Sequence, residues 1–259
     1  MRRVMGILLR LAAAAVVLAT AAPEAGAAAW FSTECQQSFE NNYQANLPYS
    51  WTRCNKFVNE LNDTDLHYYS YDLNGAKFGW EDAGDQWWVD DNDLVYANTH
   101  GGAWSDRSVW AMWNYWTLAD STAMRLGDES WQLSVFATYA CETLRMYDDK
   151  AWTRMYPVFA GGLRFALGSH DKVYAAWTTD EVGEDFADNL QHKKSFRYSW
   201  KDGNSDWDTD QDITIMTTGT GVTNCQSRRA GMTWQNFPSW PRLRDGQIQR
   251  LCWDHWDNL

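Results

Sequence analysis

The chain lacks a Pro/Ser-rich linker, an internal repeat and a surplus of positive charge. The first two absences leave nothing to divide it, so it reads as one domain. The third argues against nucleic acid as a partner. Lys and Arg number 22 against 34 Asp and Glu, a net charge of −12, and a polyanion would be repelled. No histidine has a companion at a zinc-ligand spacing either. His67 lies in an aromatic run, and His192 and His255 lie in polar surroundings.

Long apolar runs are also scarce, and the one present is at the start. Arg2, Arg3 and Arg10 precede LAAAAVVLATAA, and small residues follow at Ala25 and Ala27. This is the pattern of a signal peptide over residues 1–27, with an apolar part too short to span a bilayer. Its removal takes away three Arg and one Glu and brings the net charge to −14. The expectation is a secreted or extracytoplasmic domain over 28–259 with no membrane attachment after cleavage. About 230 residues are enough for one sizeable core.

Cysteine is sparse and odd in number, which is informative in an exported chain. Cys35 and Cys54 lie together near one end, and Cys225 and Cys252 near the other. Locality selects the disulfides Cys35–Cys54 and Cys225–Cys252, leaving Cys141 as the free thiol. Tryptophan, by contrast, is abundant at 18 residues. Clusters such as WSDRSVWAMWNYW, Trp104 to Trp116, serve either as core and loop filler or as a platform for stacking sugars.

Apolar or alternating runs at Leu66–Leu73, Leu94–Asn98, Leu133–Tyr139, Leu163–Leu167 and Ile213–Thr217 read as strands. Helix-like segments separate them. Thr178 to Glu181 resembles a capping box before VGEDFADNL, and AWTRMYPVFAGG reads as a helix broken or kinked near Pro157 and stopped by Gly161 and Gly162. The alternation predicts an α/β fold with a mainly parallel central sheet and helices on both faces. Function in such sheets gathers at the carboxyl ends of the strands. Thr99-His100-Gly101 and Tyr139-Ala140-Cys141-Glu142 both fall there.

A strand ending in His-Gly and a second strand ending in Ala-Cys, with the Cys 41 positions after the His, resembles the cysteine peptidase clan of caspases, legumains and gingipains (clan CD). The chain also resembles a bacterial domain family of unknown function, through its Trp-rich His-Gly segment, its Cys strand and the later segment Trp152 to Gly168. The first resemblance implies a caspase-like architecture and a secreted cysteine-dependent hydrolase acting on a peptide or protein substrate. It implies His100 as base, Cys141 as nucleophile, and the N–H groups of Gly101 and Cys141 as oxyanion donors. His170, after a third strand, is an alternative base or a pocket residue, with Asp171 and Glu142 beside it. An acidic pocket drawn from Asp148, Asp149 or Asp171 would favour Arg or Lys in the substrate.

Other readings stand beside this one. Cys141 also fits a small buried hydrophobe, and His100 the cap of a turn. The fold then is either a catalytically silent peptide- or protein-binding domain or a Trp-rich protein that binds or cleaves carbohydrate. No cofactor is required. Asp202, Asn204, Asp206 and Asp208 offer oxygen at alternate positions, as calcium needs, but Trp207 and Ile213 replace the Gly and Glu of an EF-hand.

Overall fold

The computed structural model describes residues 30–39, 44–62, 67–68, 80–82, 84–85, 89–112, 118–128, 133–174, 176–205, 211–257 and 259. The leader expected at residues 1–27 lies outside them, as do Asp206, Asp208 and most of the strand expected at Leu66–Leu73. No helix among the described residues is long and apolar enough to cross a membrane.

Among the described residues, ten strands form two sheets. The larger has seven, in the order β10-β9-β8-β7-β3-β1-β2. They are β1 (Trp30–Cys35), β2 (His67–Tyr68), β3 (Leu94–Asn98), β7 (Val135–Tyr139), β8 (Phe165–Ser169), β9 (Ile213–Gly219) and β10 (Arg250–Trp256). The first five run parallel, whereas β9 returns antiparallel to β8 and β10 antiparallel to β9. The smaller sheet is antiparallel, β4 (Gly101–Ala103), β5 (Ser108–Ala111) and β6 (Leu118–Asp120). This is a mixed α/β fold with two sheets, the larger mainly parallel and flanked by helices as expected, whereas the caspase-like assignment is corrected.

Side chains of one strand alternate between the two faces, which explains why the central strands read as continuous apolar runs. In β3, Leu94 and Tyr96 join the core on one face, and Val95 and Ala97 the core on the other. The first face is covered by α1 (Ser50–Asn62), α3 (Val182–Gln191) and α4 (Phe196–Gly203). Cys54, Phe57, Val58 and Leu61 recur at helical spacing and give α1 one apolar stripe, as Val182, Phe186, Ala187 and Leu190 do for α3. Each such fully buried side chain contributes about 1.5–3 kcal/mol for the larger aliphatics and Phe. The second face is covered by α2 (Ala151–Ala160), through Met155, Val158 and Phe159, and by Trp110 and Ala119 of the small sheet.

The helix stop at Gly161 holds, the break considered at Pro157 does not occur, and the capping box before α3 is not formed. Pro157 lies inside α2 without ending it, and Gly161 is the C-cap. Thr179 caps nothing in α3; it closes a short 3-10 turn, and its hydroxyl bonds the carbonyls of Tyr174 and Ala176 and receives Arg53. The buried Arg53 guanidinium won that hydroxyl because Nε and Nη2 need acceptors in a dry site.

The disulfide Cys35–Cys54 ties the end of β1 to α1, with Cα atoms 6.4 Å apart. Cys225–Cys252 ties α5 (Val222–Gly231) to β10 across 5.8 Å. Helices α1 and α3 approach so closely that a Cβ on Gly183 would lie 2.4 Å from the Arg53 carbonyl oxygen. Replacing a helical Gly by Ala normally gains ~0.5–1 kcal/mol, whereas overpacking costs about 1–3 kcal/mol. The clash therefore wins, and Gly183→Ala lowers stability in urea unfolding. A more stable Gly183→Ala protein would show that this helix contact is not as tight as described.

Candidate metal centre

The carboxyl ends of β1, β3, β7, β8 and β10 and the start of β9 share one sheet edge, so the segments that follow them converge there. The register Asn98↔Tyr139 makes β3 and β7 neighbours and sets His100 and Cys141 at equivalent positions past the two strand ends. Their side chains nevertheless turn to opposite flanks. His100 Nε2 bonds the Ala45 carbonyl at 2.7 Å, beyond β1, and its ring meets Phe39 at 5.1 Å between centroids. Cys141 Sγ donates to the Val173 carbonyl at 3.6 Å, beyond β8. Among the described residues, no hydrogen bond joins the two.

The turn after β7 explains the direction of Cys141. Glu142 N–H donates to the Asp171 carbonyl and Leu144 N–H to that of Ser169, both at 2.7 Å, so the turn is clamped onto the end of β8. Glu142 itself takes a left-handed φ of 56° to make the turn. Gly101 fits the opposite side of this turn. A Cβ there would lie 2.5 Å from the Cys141 carbonyl oxygen and 2.6 Å from Thr143 Cγ2, so the glycine permits close packing.

The thiol is not activated. Burial pushes Cys141 above its ordinary pKa, and the charges of Glu142 and Asp171 push it further, against the lowering effect of the Val173 hydrogen bond. A nucleophilic cysteine needs the reverse. The other four cysteines are in disulfides. The resemblance to cysteine peptidases, the His100/Cys141 dyad and the cysteine-dependent hydrolase that it implied are therefore corrected: four thiols are consumed, and the fifth is kept protonated and faces away from the histidine.

Of the acids of the expected pocket, Asp148 is committed to an arginine. Asp148 forms a two-point ion pair with the buried Arg154 at 2.8 and 2.9 Å, which holds its carboxyl below the ordinary range, while Asp149 and Asp171 are exposed. Glu142 accepts from Ala103 N–H at 3.4 Å and lies 3.8 Å from Arg145. Of the calcium set, Asp202 faces Lys194 at 3.4 Å, and the Asn204 amide donates to the Trp200 carbonyl at 2.8 Å. The tryptophans divide between roles: Trp80, Trp110 and Trp200 are fully buried, and Trp104 is exposed beneath Arg107.

Another group occupies the same edge. His170, Asp212 and Asp257 place one ligand atom each within 4.8 Å of one another. His170 is fully buried at the end of β8, its N–H bonded to the Asp212 carbonyl at 3.1 Å. Its Nδ1 is 3.0 Å from both the Ile213 carbonyl and Thr214 Oγ1. A carbonyl only accepts, so the network assigns the proton to Nδ1. Nε2 then presents a lone pair 2.6 Å from the Asp257 carboxylate. That separation is a hydrogen-bond distance, and a metal ion held by both atoms at about 2.0–2.1 Å would set them roughly 3.3 Å apart, so Asp257 would swing back to admit one.

Tyr147 and His255 wall this group. The Tyr147 hydroxyl donates to Asp257, and its ring lies edge-on to His170 at 4.8 Å and to His255 at 5.5 Å. That hydroxyl bond, followed by His170, holds the Asp257 carboxyl low. The Tyr147 phenol is pushed up, first by desolvation and then by Asp257, with Asp212 and Asp171 adding to the negative field. His170 was expected here from the sequence as base or pocket residue. Asp212, Asp257, Tyr147 and His255 were not, since the ligands come from three strand ends more than 40 residues apart.

The family model described as a domain of unknown function, DUF6345, matches residues 33–255. No curated protein matches the chain. The geometry around Cys141 makes a direct prediction. Iodoacetamide should label the native thiol slowly near neutral pH and faster as the solution becomes alkaline, at a rate unchanged by His100→Ala. Rapid neutral labelling that His100→Ala abolishes would restore the dyad.

Proposed function

The chain belongs to the DUF6345 family, and on that footing we propose that it is an exported protein that holds a divalent transition-metal ion between His170, Asp257 and Asp212. The observation that carries this reading is the buried imidazole anchored through Nδ1 on a backbone carbonyl, with Nε2 aimed at a carboxylate. Metal-bound histidines use the same outer bond to fix tautomer and direction. Export is supported by the leader pattern in residues 1–27 and by the two disulfides, which persist in oxidising compartments. The match over residues 33–255 supports a single domain after the leader.

The donor set also selects among ions. One imidazole with two carboxylates suits zinc or manganese, whereas calcium and magnesium prefer oxygen alone. Three protein ligands leave at least one coordination position open, and the exposed side of Asp257 gives water or a small substrate access to it. The acidic surroundings favour entry of a cation.

Calorimetric titration of metal-stripped protein with zinc tests the reading. One equivalent should bind and raise the unfolding midpoint, because a ligand held only by the native state stabilises it. His170→Gln and Asp257→Asn should each weaken binding by at least about tenfold, the scale of a lost metal-supporting group. His192→Gln, remote in an exposed i,i+4 pair with Asp188, should change nothing. Equal zinc uptake by wild type and His170→Gln would refute the site.

A further inference from the structure

The opposite edge of the large sheet carries the contrary charge. Arg164 precedes β8, Arg242 lies in the segment before β10, and Arg228 reaches the same place from α5. Ser134 Oγ accepts from Arg164 Nη1 at 2.6 Å and from Arg242 Nη2 at 2.9 Å, which fixes two guanidinium groups around one hydroxyl. Arg164 Nε donates to the Trp240 carbonyl at 2.8 Å and Arg228 Nη1 to the adjoining Pro241 carbonyl at 2.7 Å. Three cations therefore converge on one loop.

Arg228 is the unsatisfied member. It is fully buried, and its Nε and Nη2 have no hydrogen-bond partner among the described residues. These two nitrogens form one edge of the guanidinium, the fork that matches two oxygens of a carboxylate, phosphate or sulfate. Asp93 acts on Arg164 and Arg242, but the charged neighbour acting on Arg228 is Arg164, a like charge. Burial pulls all three guanidinium groups below their ordinary range. Neutral carbonyls do not balance such a charge, and buried donors are rarely left orphaned.

We propose that the Nε/Nη2 edge of Arg228, with Arg164 and Arg242 beside it, binds a small oxyanion. Arg242 is part-buried, so that side of the cluster borders solvent. A tetrahedral anion and a carboxylate share the two-oxygen edge that the fork recognises. The site is separate from the His170 centre, which lies past the other end of β8, and neither proposal depends on the other.

Thermal unfolding of the full protein in sulfate and in acetate, at constant ionic strength, tests the inference and separates the two anion shapes. The midpoint should rise to a plateau with one of them, and the rise should vanish in Arg228→Met. Arg228→Lys, which keeps charge but removes the fork, should retain only a small part of it. An equal rise in wild type and variants would mean general salt exclusion, and no rise in wild type would mean that water alone fills the fork; either overturns the proposal. Wild-type crystals soaked in selenate give a reading that needs no variant. An anomalous peak beside Arg228 Nε and Nη2 supports the site, and density for water alone refutes it.

Discussion

The antiparallel return of β9 along β8 is the constraint on which the cluster of His170, Asp212 and Asp257 depends. Pairing Ser169 with Ile213 and Gly168 with Thr214 sets the Ile213 carbonyl and the Thr214 hydroxyl against His170 Nδ1. The next pairing, Trp256 with Ile213, ends β10 at the same edge and delivers Asp257 to Nε2. A slip of one residue in either ladder would turn these side chains to the other face. The disulfide from Cys225 to Cys252 holds β10 to α5 and so supports that register.

Charge is separated along the strands. At the carboxyl edge Asp171, Asp212 and Asp257 surround His170 and Tyr147. At the other edge Arg164, Arg228 and Arg242 lie among carbonyls, near Asp93. Both groups are too costly to bury without partners. The apolar core between the edges, built from strands buried on both faces, keeps these polar groups at the two ends.

Much of the central fold was legible because two-sided burial leaves an unmistakable apolar run. Leu94–Asn98 is β3 to the residue, and the expected strands near β7, β8 and β9 overlap the observed ones. The outer strands were harder. In β10, Asp254 and His255 interrupt the apolar pattern, and only the partner strand makes the segment extended. At the site, the strand tips of His100 and Cys141 were read to one sheet edge, but neither the order of the strands nor the direction of a side chain is written in the sequence. The Ala45 carbonyl and the turn clamped onto β8 decide that direction. Likewise, His170 had no nearby ligand in sequence because its partners arrive through sheet order.

The account stands or falls on what lies between His170 and Asp257. Crystals grown from zinc-loaded protein, measured on either side of the zinc absorption edge, locate the ion directly. The structure predicts one strong anomalous peak about 2.0–2.1 Å from His170 Nε2, with Asp257 and Asp212 oxygens completing the protein ligands. A featureless map there, with His170 and Asp257 still joined by a 2.6 Å hydrogen bond, would contradict it.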